Sequence, residues 1–381
     1  MIFVGLLFEK DYEKAVIENS RGGFVQNQVN NFQWNLIDGL KLNDVKDIQI
    51  LNVLPVGSYP FHYKNLFLKK KLWGEKNIEI GTINIPLFKQ LSRYLKIRKI
   101  LKKSADKNII IYSTYLPFLK AVHRLKDKNI ILVVADLPEY YDLGKTNVIK
   151  KTLRKINNHF VYKYIRRVDK FILLTEDMKT PLAVNDRPYQ IIEGVFNSRD
   201  FCKKPNYPKD KHIILYSGTL NSLYGIKELL DSFLEFDDDC SELHIYGDGD
   251  SARYVQKCAL IDKRVIFHGF QPRQVILEAY LHASLLVNPR KNDSDYVKYS
   301  FPSKTMEYLA SGVPVLAYKL DGIPNEYDKY INYVDVDFNY SFKKIFDNYD
   351  LYCKKAMAAK EFIYKEKNAF VQASKIKKFL V

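Results

Sequence analysis

Cysteine and histidine patterns for metal binding, and paired cysteines for disulfides, are missing from this sequence. Its four cysteines, Cys202, Cys240, Cys258 and Cys353, stand far apart in 381 residues and form no C-x-x-C pair. That spacing argues against a zinc cluster or a disulfide scaffold and fits a reducing cytosol. The seven histidines show no H-x-x-x-H or similar ligand spacing. No apolar run approaches the roughly 18 residues that a membrane span requires, so the chain is expected to be soluble or to sit on a membrane surface. The opening run, IFVGLLF, has no basic region before it and acids after it, which suits a buried first strand better than a signal peptide. Acids are scarce in one half only. Residues 1–200 carry 34 Lys+Arg against 20 Asp+Glu, while 201–381 carry 26 against 24, so 14 of the 16 excess positive charges lie in the first half. Such asymmetry points to an anionic partner for that half.

The length implies two domains. IFVGLLF, IQILNVL, NIIIYS, IILVVAD and KFILLT read as buried strands in the first half, and HIILYSG, LHIYG, RVIFHG, SLLVNP and VPVLAY repeat the theme in the second. Continuous rather than alternating apolar runs mean strands covered on both faces, hence parallel sheets in an α/β architecture. The rhythm breaks at NSRDFCKKPNYPKDK, residues 197–211, and then restarts. Two doubly wound domains facing each other across a cleft are expected, with ligands at the carboxyl ends of the strands.

YSFPSKTMEYLASGVPVLAY, residues 299–318, is the most informative stretch. Pro302 suits a first helical turn, Gly312 ends the helix and Pro314 prevents its continuation. The amides of Ser303, Lys304 and Thr305 are then orphan donors at a positive dipole end. At about 100° per residue Ser303, Lys304 and Glu307 share one side, while Met306, Leu309 and Ala310 pack. Amides plus an ammonium suit a diphosphate, and a carboxylate one turn deeper suits the vicinal hydroxyls of a ribose. A surface Lys–Glu pair at i,i+3 has the same spacing. Two further glycine loops follow strands: YSGTLNSLYG, with Gly218 and Thr219, and IYGDGD, with Gly247 and Gly249. Each lets backbone approach a ligand at the same sheet edge, and each also suits an ordinary turn.

The order of ILYSGTLNSLYGIKELLDSF, LHIYGDGD, RVIFHGF, ASLLVNPR and FPSKTMEYLASGVPVLAYKLDGIPNEY resembles the donor-binding half of the retaining glycosyltransferases of family 4. The resemblance is specific over residues 214–326 and weaker over the first half. It implies the GT-B fold: two Rossmann-like domains, the second holding a nucleotide-sugar as co-substrate, no metal and no other cofactor. The expected domains are residues 1–198 with a C-terminal helix, 360–381, packing back on them, and residues 199–359. Glu307 matches the second glutamate of the family's E-x7-E motif, which holds the ribose, but Tyr299 stands where the first belongs. Thr219 and Tyr224 replace the usual Arg and Lys of the diphosphate clamp. Similarity to a subgroup with FPSK implies that Lys304 neutralises the diphosphate, with Arg290 or Lys291 as helpers. SRGGFVQNQVNNFQWNLIDGL matches the family's Gly-Gly loop and the following helix, whose packing face is Val25, Val29, Phe32, Leu36 and Leu40. Gly22 and Gly23 would approach the donor phosphate or the acceptor; a plain turn is the other reading. Where many members carry a histidine after a first-domain strand this chain has Ala135 and Asp136. Asp136 is therefore the polar candidate at the reacting centre, or else an N-cap. His268 is assigned to the nucleotide base or to a packed turn.

Four D-x-D matches, at 237/239, 248/250, 293/295 and 335/337, show how cheap that metal pattern is. FHYKNLFLKKKLWGEKN and FKQLSRYLKIRKILKK interleave rings and aliphatics with lysines. They suit an anionic membrane surface or a solvated basic face; nucleic acid is disfavoured because it would leave the second half without a purpose. The resulting expectation is a metal-independent retaining hexosyltransferase at the cytoplasmic membrane face. It would move a sugar, UDP-linked, to a lipid-linked or growing glycan acceptor in polysaccharide, capsule or cell-envelope assembly. A nucleotide-sugar epimerase of the same fold and a non-catalytic partner subunit are the alternatives.

Overall fold

The computed structural model describes residues 1–9, 12–21, 27–140, 148–197, 200–201, 203–208 and 210–381. Gly22, Gly23, Val25 and Cys202 lie outside the described residues. The chain forms two compact units, Met1–Val195 with Ala369–Val381, and Phe196–Asn368.

The first unit runs β1 (Ile2–Gly5), α1 (Glu13–Asn19), α2 (Asn27–Leu42), β2 (Gln49–Asn52), β3 (Phe67–Leu68), β4 (Lys71–Trp73), β5 (Asn77–Glu79) and β6 (Thr82–Ile83). It continues with α3 (Phe88–Lys103), β7 (Asn108–Tyr112), α4 (Leu116–Val122), β8 (Asn129–Val134), α5 (Val148–Ile165), β9 (Lys170–Leu173) and β10 (Tyr189–Ile191). Its main sheet has the order β10-β9-β8-β7-β1-β2-β5-β4, parallel except for β4 on β5. Ile109, Ile110 and Ile111 of β7 lie beside Ile130, Ile131 and Leu132 of β8. Five of these six are completely buried and Ile130 nearly so, as aliphatic runs without alternation require.

The second unit runs β11 (His212–Ser217), α6 (Ile226–Leu234), β12 (Ser241–Tyr246), α7 (Ala252–Ile261), β13 (Val265–Gly269), α8 (Arg273–Leu281) and β14 (Leu285–Asn288). Then come α9 (Ser303–Ser311), β15 (Val315–Ala317), β16 (Asn332–Tyr333), α10 (Phe338–Phe346) and α11 (Tyr349–Glu366). Its sheet is wholly parallel, in the order β13-β12-β11-β14-β15-β16. Helix α6 shows why the local sequence folds this way: Ile226, Leu229, Leu230 and Phe233 recur at helical spacing and are all completely buried.

The last helix, α12 (Ala369–Lys377), belongs to the first unit. Residues 360–368, expected to go with it, stay with the second, because α11 runs on to Glu366. The Lys367 ammonium, itself buried, pairs with Glu326 at 2.5 Å, and Asn368 Nδ2 donates to the Tyr364 carbonyl at 2.8 Å. The division falls after Val195 rather than 198 because Phe196 bridges to Asn368. Helix α12 lies on α2, where a Cβ on Gly39 would come within 2.1 Å of the Ala369 carbonyl oxygen. Asn43 Nδ2 donates to the carbonyls of Gly39 and Phe370, both at 2.8 Å. Gly39→Val should therefore cost about 1–3 kcal/mol through overpacking, read as a lower urea midpoint for the first unit. An unchanged midpoint would show that this contact does not hold α12.

Candidate functional site

In the second unit, strand order reverses between β11 and β14: β12 and β13 extend from one side and β15 and β16 from the other. A crevice at the carboxyl ends beside such a switch point is where open α/β sheets bind ligands. The loop after β11 begins with Gly218, and α9 follows β14.

Gly218 and Gly247 are set against each other. A Cβ on Gly247, whose φ is +141°, would lie 1.8 Å from the Gly218 carbonyl oxygen, so no side chain fits. Gly218 N–H donates to the Tyr246 carbonyl at 2.9 Å, and Gly247 N–H to the Gly269 carbonyl at 2.8 Å. A Cβ on Gly249 would meet the Leu220 carbonyl oxygen at 2.4 Å. Among the described residues these glycines serve the approach of one strand-end loop to the next. Thr219 is exposed, and its carbonyl accepts from the Tyr216 hydroxyl at 2.9 Å. Asp250 accepts from the Ser222 amide at 2.8 Å, and Asp248 from the Gly249 amide at 2.8 Å, so both acids tie the loop.

Helix α9 starts after Pro302, which is extended, and ends at Gly312 in the left-handed region. Ser303 is exposed. The Thr305 amide donates to the Pro302 carbonyl at 2.8 Å and the residue is fully buried, its hydroxyl 3.5 Å from Asn288 Nδ2. That corrects one expectation: Thr305 supports the helix mouth and does not face outward. Among the described residues, the amides of Ser303 and Lys304 have no protein acceptor.

The Lys304 ammonium turns inward, 3.4 Å from the Ser217 hydroxyl. Burial pushes its pKa below the ordinary lysine value; Glu307 opposes the shift and Arg273 adds to it. Beneath it is a fully buried hydroxyl bed. Tyr308 Oη accepts from the Ser217 amide at 3.0 Å, and Tyr280 Oη bonds to Ser217 Oγ. Glu307 Oε1 accepts from Arg273 Nη2 at 2.8 Å, and the same guanidinium grips both Asp200 oxygens at 3.1 and 2.8 Å. Burial alone would lower the Arg273 pKa, but the bonds to Asp200 and Glu307 outweigh it and raise it. Sequence reasoning missed Arg273 and Asp200. Their only signal is Pro272-Arg273 opening a helix after β13, and joining that to Glu307 requires the packing of α8 on α9.

Arg290, 9% exposed, lies 5.6 Å from the Tyr224 ring centre and 4.7 Å from that of Tyr296, with the Ser300 hydroxyl at 3.5 Å and its Nε unpartnered. Lys291 is engaged elsewhere, by Glu228 at 2.6 Å. Tyr299 ends a short turn, half-buried, with the Lys298 ammonium 5.2 Å from its ring centre. His268 stacks on Tyr246 with centroids 4.1 Å apart, and its Nε2 meets His244 Nδ1 at 3.1 Å. Burial and then the neighbouring His244 depress the His268 pKa. In the first unit Asp136 follows β8; although it keeps an exposed surface, the protein crowding its carboxyl raises the pKa. The bond closing the next turn runs from the Tyr140 amide to the Leu137 carbonyl.

Residues 197–369 match the sequence family described as glycosyl transferases group 1. No curated protein matches the chain by sequence. Among solved structures, the chain superposes on sucrose-phosphate synthase from Thermosynechococcus elongatus with a TM-score of 0.71 at 13% identity, covering 99% of this chain and 98% of that one. It superposes on Anabaena HepE, solved with UDP, at 0.64 and 11% identity, with 99% of each covered. WaaG, a glycosyltransferase involved in lipopolysaccharide biosynthesis, gives 0.64 at 12% identity, covering 100% of this chain and 99% of that one. The fold is that of the GT-B glycosyltransferases.

A lysine with a depressed folded pKa is destabilising while it must be charged. That cost is full below the folded pKa and is relieved as pH climbs toward the unfolded value of about 10.4. Wild-type stability should therefore gain with rising alkalinity a component that Lys304→Met lacks. Lys304→Met should also be no less stable at pH 7, whereas Tyr308→Phe, which orphans the Ser217 amide, should lose about 1–3 kcal/mol. Urea titrations across pH check both; parallel wild-type and Lys304→Met curves would contradict the buried ammonium.

Proposed function

We propose that the protein is a retaining, metal-independent glycosyltransferase that takes a sugar from a nucleoside diphosphate, UDP by preference, to a lipid-linked or growing glycan acceptor. The observation that carries this reading is the convergence at one switch point of free helix-start amides, the Lys304 ammonium and the Glu307 carboxylate. The amides of Ser303 and Lys304 and the ammonium would hold the diphosphate, and Glu307 would take the ribose hydroxyls. The match of residues 197–369 to a glycosyl transferase family supports the same class.

In this reading the acceptor oxygen bonds to the anomeric carbon as the bond from that carbon to the diphosphate oxygen breaks, on the same face. The acceptor proton passes to the departing diphosphate, so no strong protein base is required; positioning and charge stabilisation do the work. Arg273 would hold Glu307 at its ribose-facing position, and Arg290 would add positive charge. Asp136 would orient the acceptor, and Gly22 and Gly23 would approach it or the donor phosphate. With a UDP-sugar donor and a lipid-linked acceptor of polysaccharide or envelope assembly, the enzyme would work at the inner face of the cytoplasmic membrane. No helix among the described residues is long and apolar enough to cross a membrane.

Calorimetry with UDP and UDP-sugars tests the site. Lys304→Ala should weaken UDP binding about 10- to 100-fold and Glu307→Gln should weaken UDP more than uridine-free pyrophosphate, the scale of lost charge-assisted hydrogen bonds. Donor turnover should require acceptor and survive EDTA. Turnover of donor alone into an isomer would instead identify an epimerase, and undiminished affinity in Lys304→Ala would reject the site.

A further inference from the structure

Helix α3 is built inside out over its first turns. Its buried series is Lys89, Arg93, Ile97 and Leu101, while Leu87, Phe88, Leu91 and Leu95 are 78%, 68%, 52% and 53% exposed. The buried cations have partners: Lys89 Nζ donates to the Val56 carbonyl at 3.1 Å and to Asn84 Oδ1 at 3.2 Å, and Arg93 Nη2 to the Leu54 carbonyl at 3.0 Å. Holding loop carbonyls explains the cations. It does not explain the leucines, since polar residues would stand in water at no cost. The residue just before the helix sharpens the point. Leu87 has φ +66°, ψ −54°, a conformation that a β-carbon disfavours, and it holds its side chain out in water.

This ridge borders a groove of about 360 Å³ lined by Leu87, Phe88, Leu91, Tyr94, Leu116 and Pro117. At its edge the Lys120 ammonium sits 4.6 Å from the Tyr94 ring centre. Next to the ridge, Phe67 pairs with Ile83 across β3 and β6, and both are exposed. On the same helical layer, α5 packs against α4 and exposes Leu153, Ile156 and Phe160. Helix α3 carries seven Lys+Arg and α5 carries five, and neither has an acid. An apolar ridge set in a field of cations is complementary to one kind of surface, hydrocarbon below and negative charge above.

We propose that the ridge at the start of α3 inserts among the acyl chains of an anionic bilayer, with the lysines of α3, α4 and α5 engaging headgroup phosphates. This deepens the transferase reading and rests on it only in supposing that the acceptor is carried at a membrane. Single-stranded nucleic acid would use the cations but would leave aliphatic Leu87, Leu91 and Leu95 without a role, since it stacks on rings.

The test is flotation of the full chain with phosphatidylcholine vesicles, with and without phosphatidylglycerol, beside UDP calorimetry on the same samples. Wild type should bind the anionic vesicles and be released by salt. Leu87→Ser with Phe88→Ser, and separately Lys99→Glu with Lys102→Glu, should each lower partitioning about tenfold or more with UDP affinity unchanged. Leu87→Gly guards against misfolding as the explanation: it should raise the unfolding midpoint, by relieving the backbone, while still weakening vesicle binding. Wild type that binds UDP but no anionic vesicle overturns the surface and leaves the transferase reading standing. Vesicle binding without UDP binding does the reverse. Competition by RNA, or a dimer dispersed by the Leu87→Ser and Phe88→Ser pair, assigns the face to another occupant and overturns the proposal.

Discussion

A single ammonium group carries most of the meaning of the second unit. Lys304 enters the helix start and turns toward a serine hydroxyl fixed by two buried tyrosines, so its charge is held where water solvates it poorly. Burying a cation without a full counter-charge costs free energy. Glu307 offsets part of that cost but is itself committed to Arg273. Both carboxylates of the site, Glu307 and Asp200, are bonded to Arg273 and neither to Lys304, so in the proposed reading a dianion would bring Lys304 and the free helix amides the counter-charge they lack. Electrostatic preparation of this kind is how an active site stabilises a leaving group without reorganising when the bond breaks.

The surrounding fold exists to hold that arrangement. Gly218 and Gly247 bring two strand-end loops into backbone contact, which fixes the floor next to Lys304; a β-carbon on Gly218 would lie 3.2 Å from the lysine's Cε. Tyr280 comes from α8 and Tyr308 from α9, and their rings meet edge to face with centroids 5.1 Å apart. One helix pair therefore supplies both the hydroxyl bed and, through Arg273 and Glu307, the ion pair above it. In the proposed reading, Lys304 and Arg290 would supply the positive charge that the expected clamp positions, Thr219 and Tyr224, do not.

The parallel layers were legible because aliphatic runs such as NIIIY and NIILVV have no polar face, and α9 was legible because Pro302 and Gly312 punctuate it. Lys304 and Glu307 could be placed on one side of that helix by periodicity alone. The inward turn of the ammonium could not, because it depends on Ser217, 87 residues away in sequence. Arg273 and Asp200 were hidden for the same reason: ion pairs between elements follow from packing, not from spacing. Thr305 was misjudged because three successive amides at a helix start look equivalent in sequence, whereas the first turn closes on the third of them. In the basic half the composition of α3 was plain, but its inversion was not. A helical pattern read by hydrophobicity puts leucines inward, and only the carbonyls of Leu54 and Val56 reveal why Lys89 and Arg93 displace them.

The most direct measurement is the titration of the Lys304 ammonium by NMR, with Lys304→Arg to assign the resonance, in the free protein and with UDP bound. The account predicts a pKa below that of ordinary lysines in the free protein and a rise when the diphosphate arrives. An ordinary value that does not move on UDP binding would contradict it.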